Sequence, residues 1–454
     1  MNFVKSILFS LLVLVVFSCS KSTEEKAKQP NFIVFIADDV AWNDCGPYGN
    51  NNIKTPNINK LAEEGLVFDN AFLTTSSCSP SRCSILTGRY PHSTGAPELH
   101  QPLPADQVLF AGELQKAGYF TAVAGKYHIG PERAEFDSIY GGSPSGCENW
   151  VRALKNRPAD KPFFLWLAAL DPHRAYQPNT IPEPHKPENV IVPPYLPDND
   201  STRKDLALYY DEISRLDSYL GKVMAELKKQ GEDENTVVIY MSDNGRPFPR
   251  AKTRMYDSGI KTPFIVRWPA NVKQGRTDAL VSSIDIAPTF CELAGANISE
   301  TFQGFSFAPV LENFSMETRS YIVGEHNWHD YQSHERAIRN HNFLYLRNAF
   351  PELNASPPAD AVRSITYQKM IELYEAGELN ENQLDCFIAP RPAEELYDVV
   401  NDPWQLTNLA GDEEYADTLK VMRKLLDEWI DKFNDSIPQN PTPDKFDRWT
   451  GERL

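Results

Sequence analysis

Four short, wholly apolar runs punctuate the first half of the chain, and each gives way to a polar cluster. Phe32–Ala37 leads into Asp38-Asp39, and Thr121–Ala124 into Gly125-Lys126-Tyr127-His128. Phe163–Leu170 leads into Asp171-Pro172-His173-Arg174, and Val237–Met241 into Ser242-Asp243-Asn244-Gly245. Unbroken apolar runs of this length predict strands buried on both faces. Between them lie helical patterns: Pro56 to Leu66, opened by Thr-Pro with Gly65 near its end, and Leu109 to Ala117, stopped by Gly118. Asp205 to Lys229 keeps Leu206, Ile213, Leu216, Leu220, Val223 and Leu227 largely on one face before Gly231. Strands alternating with helices predict an α/β fold, a large and mostly parallel sheet flanked by helices. Ligands bind outside the carboxyl ends of such strands, so the four polar clusters are expected to meet in one site.

Eight prolines between Pro172 and Pro197 exclude a helix interior or central strand there and predict an ordered irregular loop near that site. After Asp285-Ile-Ala-Pro288 a helix carrying Phe290, Leu293 and Ala294 should end at Gly295. Beyond about residue 330 the pattern changes to short strands, Arg336–Arg339 and Phe343–Leu346, and a final helix, Ala416–Phe433. The expected organisation is a main domain at 31–330 and a smaller α+β unit at 331–454. Residues 1–18 carry one cation, Lys5, and then an apolar run too short to span a bilayer comfortably, as in a secretory signal. Val16-Phe17-Ser18-Cys19 resembles a bacterial lipobox, which implies cleavage before Cys19 and acylation of its thiol. Residues 19–30 then form a polar tether, and the chain is expected to be exported and lipid-anchored, facing periplasm or cell surface. A plain signal peptide with an incidental cysteine is the alternative.

Composition narrows the function by exclusion. Of 454 residues 41% are hydrophobic and 24% charged, which excludes wholesale disorder and fibrous repeats. Lys plus Arg number 45 against 62 Asp plus Glu, and the net charge of −17 argues against nucleic acid or an anionic membrane surface as partner. The membrane is then met only through the lipid anchor. Seven cysteines are too few for a disulfide scaffold and odd in number, and the pairing of Cys45, Cys83, Cys147, Cys291 and Cys386 is not deducible.

Asp38, Asp39, Asp243 and Asn244 offer only oxygen, which suits calcium or magnesium better than zinc. A helix cap or solvated turn is the competing reading of Asp38-Asp39. In Cys78-Ser-Pro-Ser-Arg82 a Cys and an Arg stand four apart around a Pro that can open a helix, placing a nucleophile at a helix N-terminus that favours anions. Taken alone this could equally be a buried structural Cys. His173 and Lys252 alone would be an ordinary loop histidine and surface lysine. His100, His326, His329 and His334 fit either a pocket lining or a polar loop surface.

Cys78-x-Pro80-Ser81-Arg82-x-x-x-Leu86-Thr87-Gly88 resembles the signature of the sulfatase family. Gly118-Tyr119-x-Thr121 followed by Gly125-Lys126-Tyr127-His128 is similar to that family's second motif. The likeness covers most of residues 31–345, with weaker matches at Glu395–Asp398 and Asp402-Pro403. Within the family, Ser76–Arg82, Leu99-His100-Gln101, Lys126-x-His128-x-Gly130-Pro131-Glu132, Asp171–Arg174 and Ser242–Pro249 resemble the N-sulfatase (sulfamidase) branch. Two departures are the short segment from Glu132 to Lys161 and Lys252 itself, where that branch carries arginine and other sulfatases lysine.

The resemblance implies an alkaline-phosphatase-like fold and oxidation of Cys78 to formylglycine by a maturation enzyme. It implies Ca²⁺, in preference to Mg²⁺, on Asp38, Asp39, Asp243, Asn244 and the modified residue 78. The hydrated aldehyde would supply two hydroxyls, one to attack sulfur and one to expel sulfate. Arg82, Lys126 and Lys252 would clamp the diol and sulfate oxygens, His128 would assist proton transfer at the diol, and His173 would protonate the leaving group. His173 and Lys252 would also bind substrate, with His100 beside them. The activity implied is release of sulfate from a sulfated glycosaminoglycan oligosaccharide, chiefly the N-sulfate of glucosamine at a heparan or heparin chain end. A glycosaminoglycan O-sulfatase or arylsulfatase is the near alternative, and a noncatalytic glycan-binding lipoprotein is the alternative of another class.

Overall fold

The computed structural model describes residues 28–454. The expected signal peptide, Cys19 and most of the tether lie outside the described residues. The larger sheet contains β1 (Asn31–Ala37), β2 (Leu66–Phe72), β3 (Phe120–Gly125), β4 (Ser138–Tyr140), β5 (Phe163–Ala168), β6 (Thr236–Ser242), β7 (Ile265–Arg267) and β8 (Gly275–Ser282). Their spatial order is β4-β3-β5-β1-β6-β7-β2-β8. The run from β4 to β6 is parallel throughout, β7 is antiparallel to β6 and β2, and β2 pairs β8 in parallel.

Every residue of β1 is buried, and the two-residue period of a strand divides them between two cores. Ile33, Phe35 and Ala37 pack with the helices Pro56–Glu63, Trp150–Lys155 and Asp200–Lys229. Phe32, Val34 and Ile36 pack on the other face with Phe110–Lys116, Ile286–Ala294 and the apolar side of Cys78–Thr87. Register then brings the strand ends level: Ile36 pairs Ala168, Ala37 pairs Ser242 and Gly125 pairs Ala168. All four polar clusters therefore leave the sheet at one end.

The predicted helix at Pro56–Leu66 stops at Glu63, and Leu66 instead opens β2, pairing Gly275 of β8. A side chain on Gly65 would meet the Val266 carbonyl at 2.6 Å, so the close approach of β7 sets the break. The long helix begins at Asp200, earlier than its apolar stripe, because the Asn199 side chain accepts from Thr202 N at 3.0 Å and caps a polar first turn. Between Pro172 and Pro197 the only helical turn among the described residues is Pro187–Asn189.

A second, antiparallel sheet holds β9 (Ile322–His326), β10 (Glu335–Arg339), β11 (Phe343–Asn348) and β12 (Glu394–Asp398), in the order β12-β11-β10-β9. It thus starts before residue 331, with β9 paired to β10. One face (Ile322, Ala337, Leu344, Leu346) rests on Met255, Tyr256, Ile260 and Leu280 of the main domain. The other (Val323, Ile338, Tyr345, Leu396) is covered by Leu419, Met422, Leu426 and Trp429 of the helix Ala416–Phe433. All six described cysteines are unpaired and buried. Among the described residues no helix is long and apolar enough to cross a membrane.

Candidate active site

The helix Cys78–Thr87 is buried along its whole length and ends at Gly88, whose φ of 61° suits glycine. Its i, i+4 spacing puts Cys78 and Arg82 on one face, toward the strand ends, while Cys83, Ile85 and Leu86 enter the core. Ser77 precedes the helix without capping it; its hydroxyl lies 2.7 Å from His329 Nδ1.

Three carboxylates and three cations interlock around Cys78. Arg82 donates from Nε to Asp243 Oδ2 at 2.8 Å, and from Nη1 to the Lys126 carbonyl at 2.8 Å. Lys126 Nζ reaches Asp38 Oδ2 at 2.5 Å, and Lys252 Nζ reaches Asp39 Oδ2 at 2.8 Å. Asn244 Nδ2 donates to Asp39 Oδ1. Gly125, with φ of 98°, makes the turn that aims Lys126 inward; a Cβ there would sit 1.8 Å from the Ala168 carbonyl. Asp39 and His128 also occupy the left-handed region, at φ 80° and 52°, which for side-chain-bearing residues costs on the order of 1 kcal/mol each.

Ligand atoms of Asp38, Asp39 and Cys78 lie within 4.8 Å of one another. Asp38 Oδ1 and Asn244 Oδ1 are buried without a hydrogen-bond partner. Buried oxygens left without donors in an all-oxygen set fit a hard divalent cation. Burial works to raise the Asp38 carboxyl, but Lys126, His173 and Arg82 outweigh it and hold it well below the usual range. Burial pushes Asp243 up to about 6, with Arg82 opposing. The Cys78 thiol is pushed up to about 12 by burial despite Lys126 and Lys252, so at neutral pH it is a poor thiolate nucleophile.

His128 and His100 stand together at the mouth, with His100 Nδ1 2.9 Å from His128 Nε2 and the His100 amide donating to Ser79 Oγ. Burial, then Lys126 and Arg82, lower His128 to about 2, and burial with Lys445 lowers His100. The His128 ring is therefore neutral in the physiological range, and its buried Nδ1 has no partner. His173 lines a cavity of about 330 Å³ with Lys126, Gln177, Glu212 and Arg215. Arg174 clamps the same loop, donating from both Nη atoms to Asp205 at 2.9 and 2.8 Å.

Residues 30–146 and 147–296 match the family model for sulfatases. The chain belongs to the sulfatase family. Residues 250–347 of this sulfatase also match the C-terminal model of N-sulphoglucosamine sulphohydrolase. It is 31% identical to an ulvan-active sulfatase of Formosa agariphila, over 95% of this chain and 80% of that one. It is also 31% identical to human N-sulphoglucosamine sulphohydrolase, over 89% of this chain and 90% of that one. A protein solved with its substrate D-glucosamine-2-N,6-O-disulfate superposes with a TM-score of 0.70 at 23% identity, covering 90% of this chain and 99% of that one. The fold of this sulfatase is the alkaline-phosphatase-like one, with the small antiparallel sheet appended.

The structure brings Asp38, Asp39, Cys78, Arg82, Lys126, Asp243, Asn244 and Lys252 into one buried cluster and sets His100, His128 and His173 around its opening. His326, His329 and His334 are buried, which excludes the polar loop surface expected as one alternative. Sequence reading missed Asp360, whose Oδ2 lies 3.8 Å from His173 Nε2. It belongs to no motif and comes from a distant segment, so nothing local announces it.

Proposed function

We propose that this sulfatase hydrolyses the N-sulfate of glucosamine at the end of heparan or heparin fragments, with Cys78 converted to formylglycine. The carrying observation is the buried Cys78 cluster joined to likeness, over nearly the whole chain, to a sulphohydrolase named for N-sulphoglucosamine. Asp38, Asp39, Asp243 and Asn244 would hold Ca²⁺, which supplies positive charge to the sulfate oxygens and acidifies a hydroxyl on residue 78. The ionised side chains alone balance, three against three, so a divalent ion held there would make the pocket positive and suited to an anion. Arg82, Lys126 and Lys252 are fixed by their carboxylate partners before substrate arrives, so they hold sulfate oxygens with little reorganisation. Neutral His128 can accept a proton at the diol, and His173 would protonate the leaving group. A maturation enzyme would produce the formylglycine, and acylated Cys19 would hold the exported protein on the membrane.

Likeness to the ulvan-active sulfatase supports a second reading, an O-sulfatase acting on a polysaccharide. Assay of 2-N-sulfated against 6-O-sulfated glucosamine separates the two: sulfate release from the N-sulfated sugar is expected, and release from the O-sulfated sugar alone would overturn the first reading. Mass spectrometry of the Cys78 peptide from the native host should show the aldehyde; an intact thiol would refute the mechanism.

A further inference from the structure

A cavity of about 250 Å³ opens between the loop that leaves β1 and the segment that follows β12, and none of its lining residues belongs to the Cys78 cluster. Two indoles from these distant segments line it, Trp42 and Trp404, both half-buried, with Tyr48 beside them. This aromatic platform is fixed before any ligand arrives. The Tyr48 hydroxyl donates to the Phe68 carbonyl at 2.9 Å and accepts from the Phe264 amide at 2.8 Å, and Trp42 meets the Tyr48 ring edge-on with centroids 6.2 Å apart. Trp404 rests against Tyr195 at 5.9 Å between centroids, and its carbonyl is held by Arg250 Nη1 at 3.0 Å. A ligand that stacks here orders little of the protein.

The polar groups of the same cavity are mostly spent, and what they leave over is donor capacity. Arg246 uses Nη2 on Asn43 Oδ1 at 2.6 Å and on Asp44 Oδ2 at 3.1 Å. Asn50 Oδ1 accepts from Asn52 N at 3.1 Å, and Asp44 Oδ1 faces Asn50 Nδ2 at 3.5 Å. Arg246 Nη1 and Asn43 Nδ2 donate to no group among the described residues. Lys261 Nζ stands over the Trp42 ring, 4.4 Å from its centroid, and forms no ion pair among the described residues. Arg246 and Lys261 against Asp44 leave one positive charge around the platform, which repels a cation. A peptide strand would bring N–H groups that need acceptors, and those are taken. A sugar ring brings a C–H face that packs on an indole and a rim of oxygens that accept. A carboxylate or sulfate on that ring meets the excess positive charge.

We propose that this cavity is a second saccharide site, which holds one anionic sugar of a glycan by stacking on Trp42 and Trp404 and by donors from Asn43 and Arg246. Its occupation does not depend on which sulfate the Cys78 cluster removes. A glycan held here stays at the enzyme between encounters with the catalytic end, which raises the local concentration of cleavable sugars.

The test titrates the full chain carrying Cys78→Ala, which cannot consume the probe, with a heparin-derived hexasaccharide while the indole ¹⁵N–H signals of the tryptophans are followed by NMR. Trp42→Phe and Trp404→Phe assign the two signals that matter. Both should shift along one saturating curve, and neutral maltohexaose should leave them in place. Asn43→Asp keeps Oδ1 for Arg246 but replaces the spare donor with an acceptor and a negative charge. It should weaken the hexasaccharide binding by about tenfold with the melting temperature unchanged. Trp404→Ala should weaken it by a similar factor. Indole signals that stay still at millimolar hexasaccharide would overturn the proposal, as would equal shifts with maltohexaose or parent affinity in folded Asn43→Asp. Sulfate release plays no part in this readout, so failure of the N-sulfatase reading leaves the second site standing, and failure here leaves that reading untouched.

Discussion

The catalytic end of the main sheet and the small antiparallel sheet are both filled with buried charge, and they differ in which atoms the pairing leaves over. Around the second sheet, carboxylates are spent on guanidinium groups. Glu335 Oε1 accepts from Arg254 at 2.6 Å and Arg391 at 2.7 Å, Arg336 grips Asp435 at 2.6 and 2.8 Å, and Arg339 grips Asp257 at 3.2 Å through two nitrogens. At the catalytic end the charges also pair, yet the buried atoms left without partners include the acceptor oxygens Asp38 Oδ1 and Asn244 Oδ1, whereas around the second sheet they are mostly nitrogens, among them Arg254 Nε, Arg339 Nη1, His326 Nδ1 and His334 Nε2. Buried oxygens without donors suit a cation, whereas nitrogens left over from guanidinium–carboxylate pairs belong to a joint.

Substitutions at the two ends should therefore separate activity from stability. The largest effect is expected from Cys78→Ala, which removes the proposed nucleophile: sulfate release should fall by at least about 10⁴-fold while the melting temperature stays within a few degrees. Activity within tenfold of the parent would contradict the assignment of residue 78. Glu335→Ala inverts the pattern, leaving two buried guanidinium groups without their shared partner and costing about 3 kcal/mol in denaturant titrations. Its kcat, measured where the protein is folded, should remain within about twofold of the parent. Burial works to raise Glu335, but Arg254 and Arg391 pull it down to about 2. The sign follows: this stabilisation is present above the unfolded glutamate value and is lost as pH falls through the folded one.

The smallest effect concerns the seam between the two regions, where His92 Nδ1 meets Glu325 Oε1 at 2.7 Å and the ring also contacts the Phe433 carbonyl. Burial lowers His92, but Glu325 more than compensates, and the ring titrates above its ordinary value. A raised histidine contributes fully below its unfolded value and loses that contribution as pH rises through the folded value. His92→Gln should cost about 1 kcal/mol near pH 6 and flatten the decline in stability from pH 6.5 upward. A parent and variant with parallel stability curves across that window would show that this joint carries no protonation-linked energy.

Much of the catalytic end is legible in the amino-acid sequence, because its signals are local. Apolar runs ending in Asp38-Asp39, Lys126, His173 and Asp243-Asn244 reveal strands and their functional ends together. The spacing of Cys78 and Arg82 puts them on one helix face without reference to the rest of the chain. The helix Ala416–Phe433 is likewise readable from its periodic stripe, Leu419, Met422, Leu426 and Trp429. Less is legible where partners lie far apart. β2 is hidden behind a helix-like pattern at Leu66, and Glu335 shows no sign in sequence that Arg254 and Arg391 await it.

What the sequence alone determined, then, is the four parallel strands β1, β3, β5 and β6, the sulfatase signature and which residues sit at those strand ends, since each depends on neighbours within a few positions. Only the tertiary structure decided which oxygens are left without donors, that His329 contacts Ser77, and that Asp360 lies beside His173. Those relations arise from strand order and from the docking of the second sheet, and no local pattern encodes a distance between groups that meet only after the chain has folded.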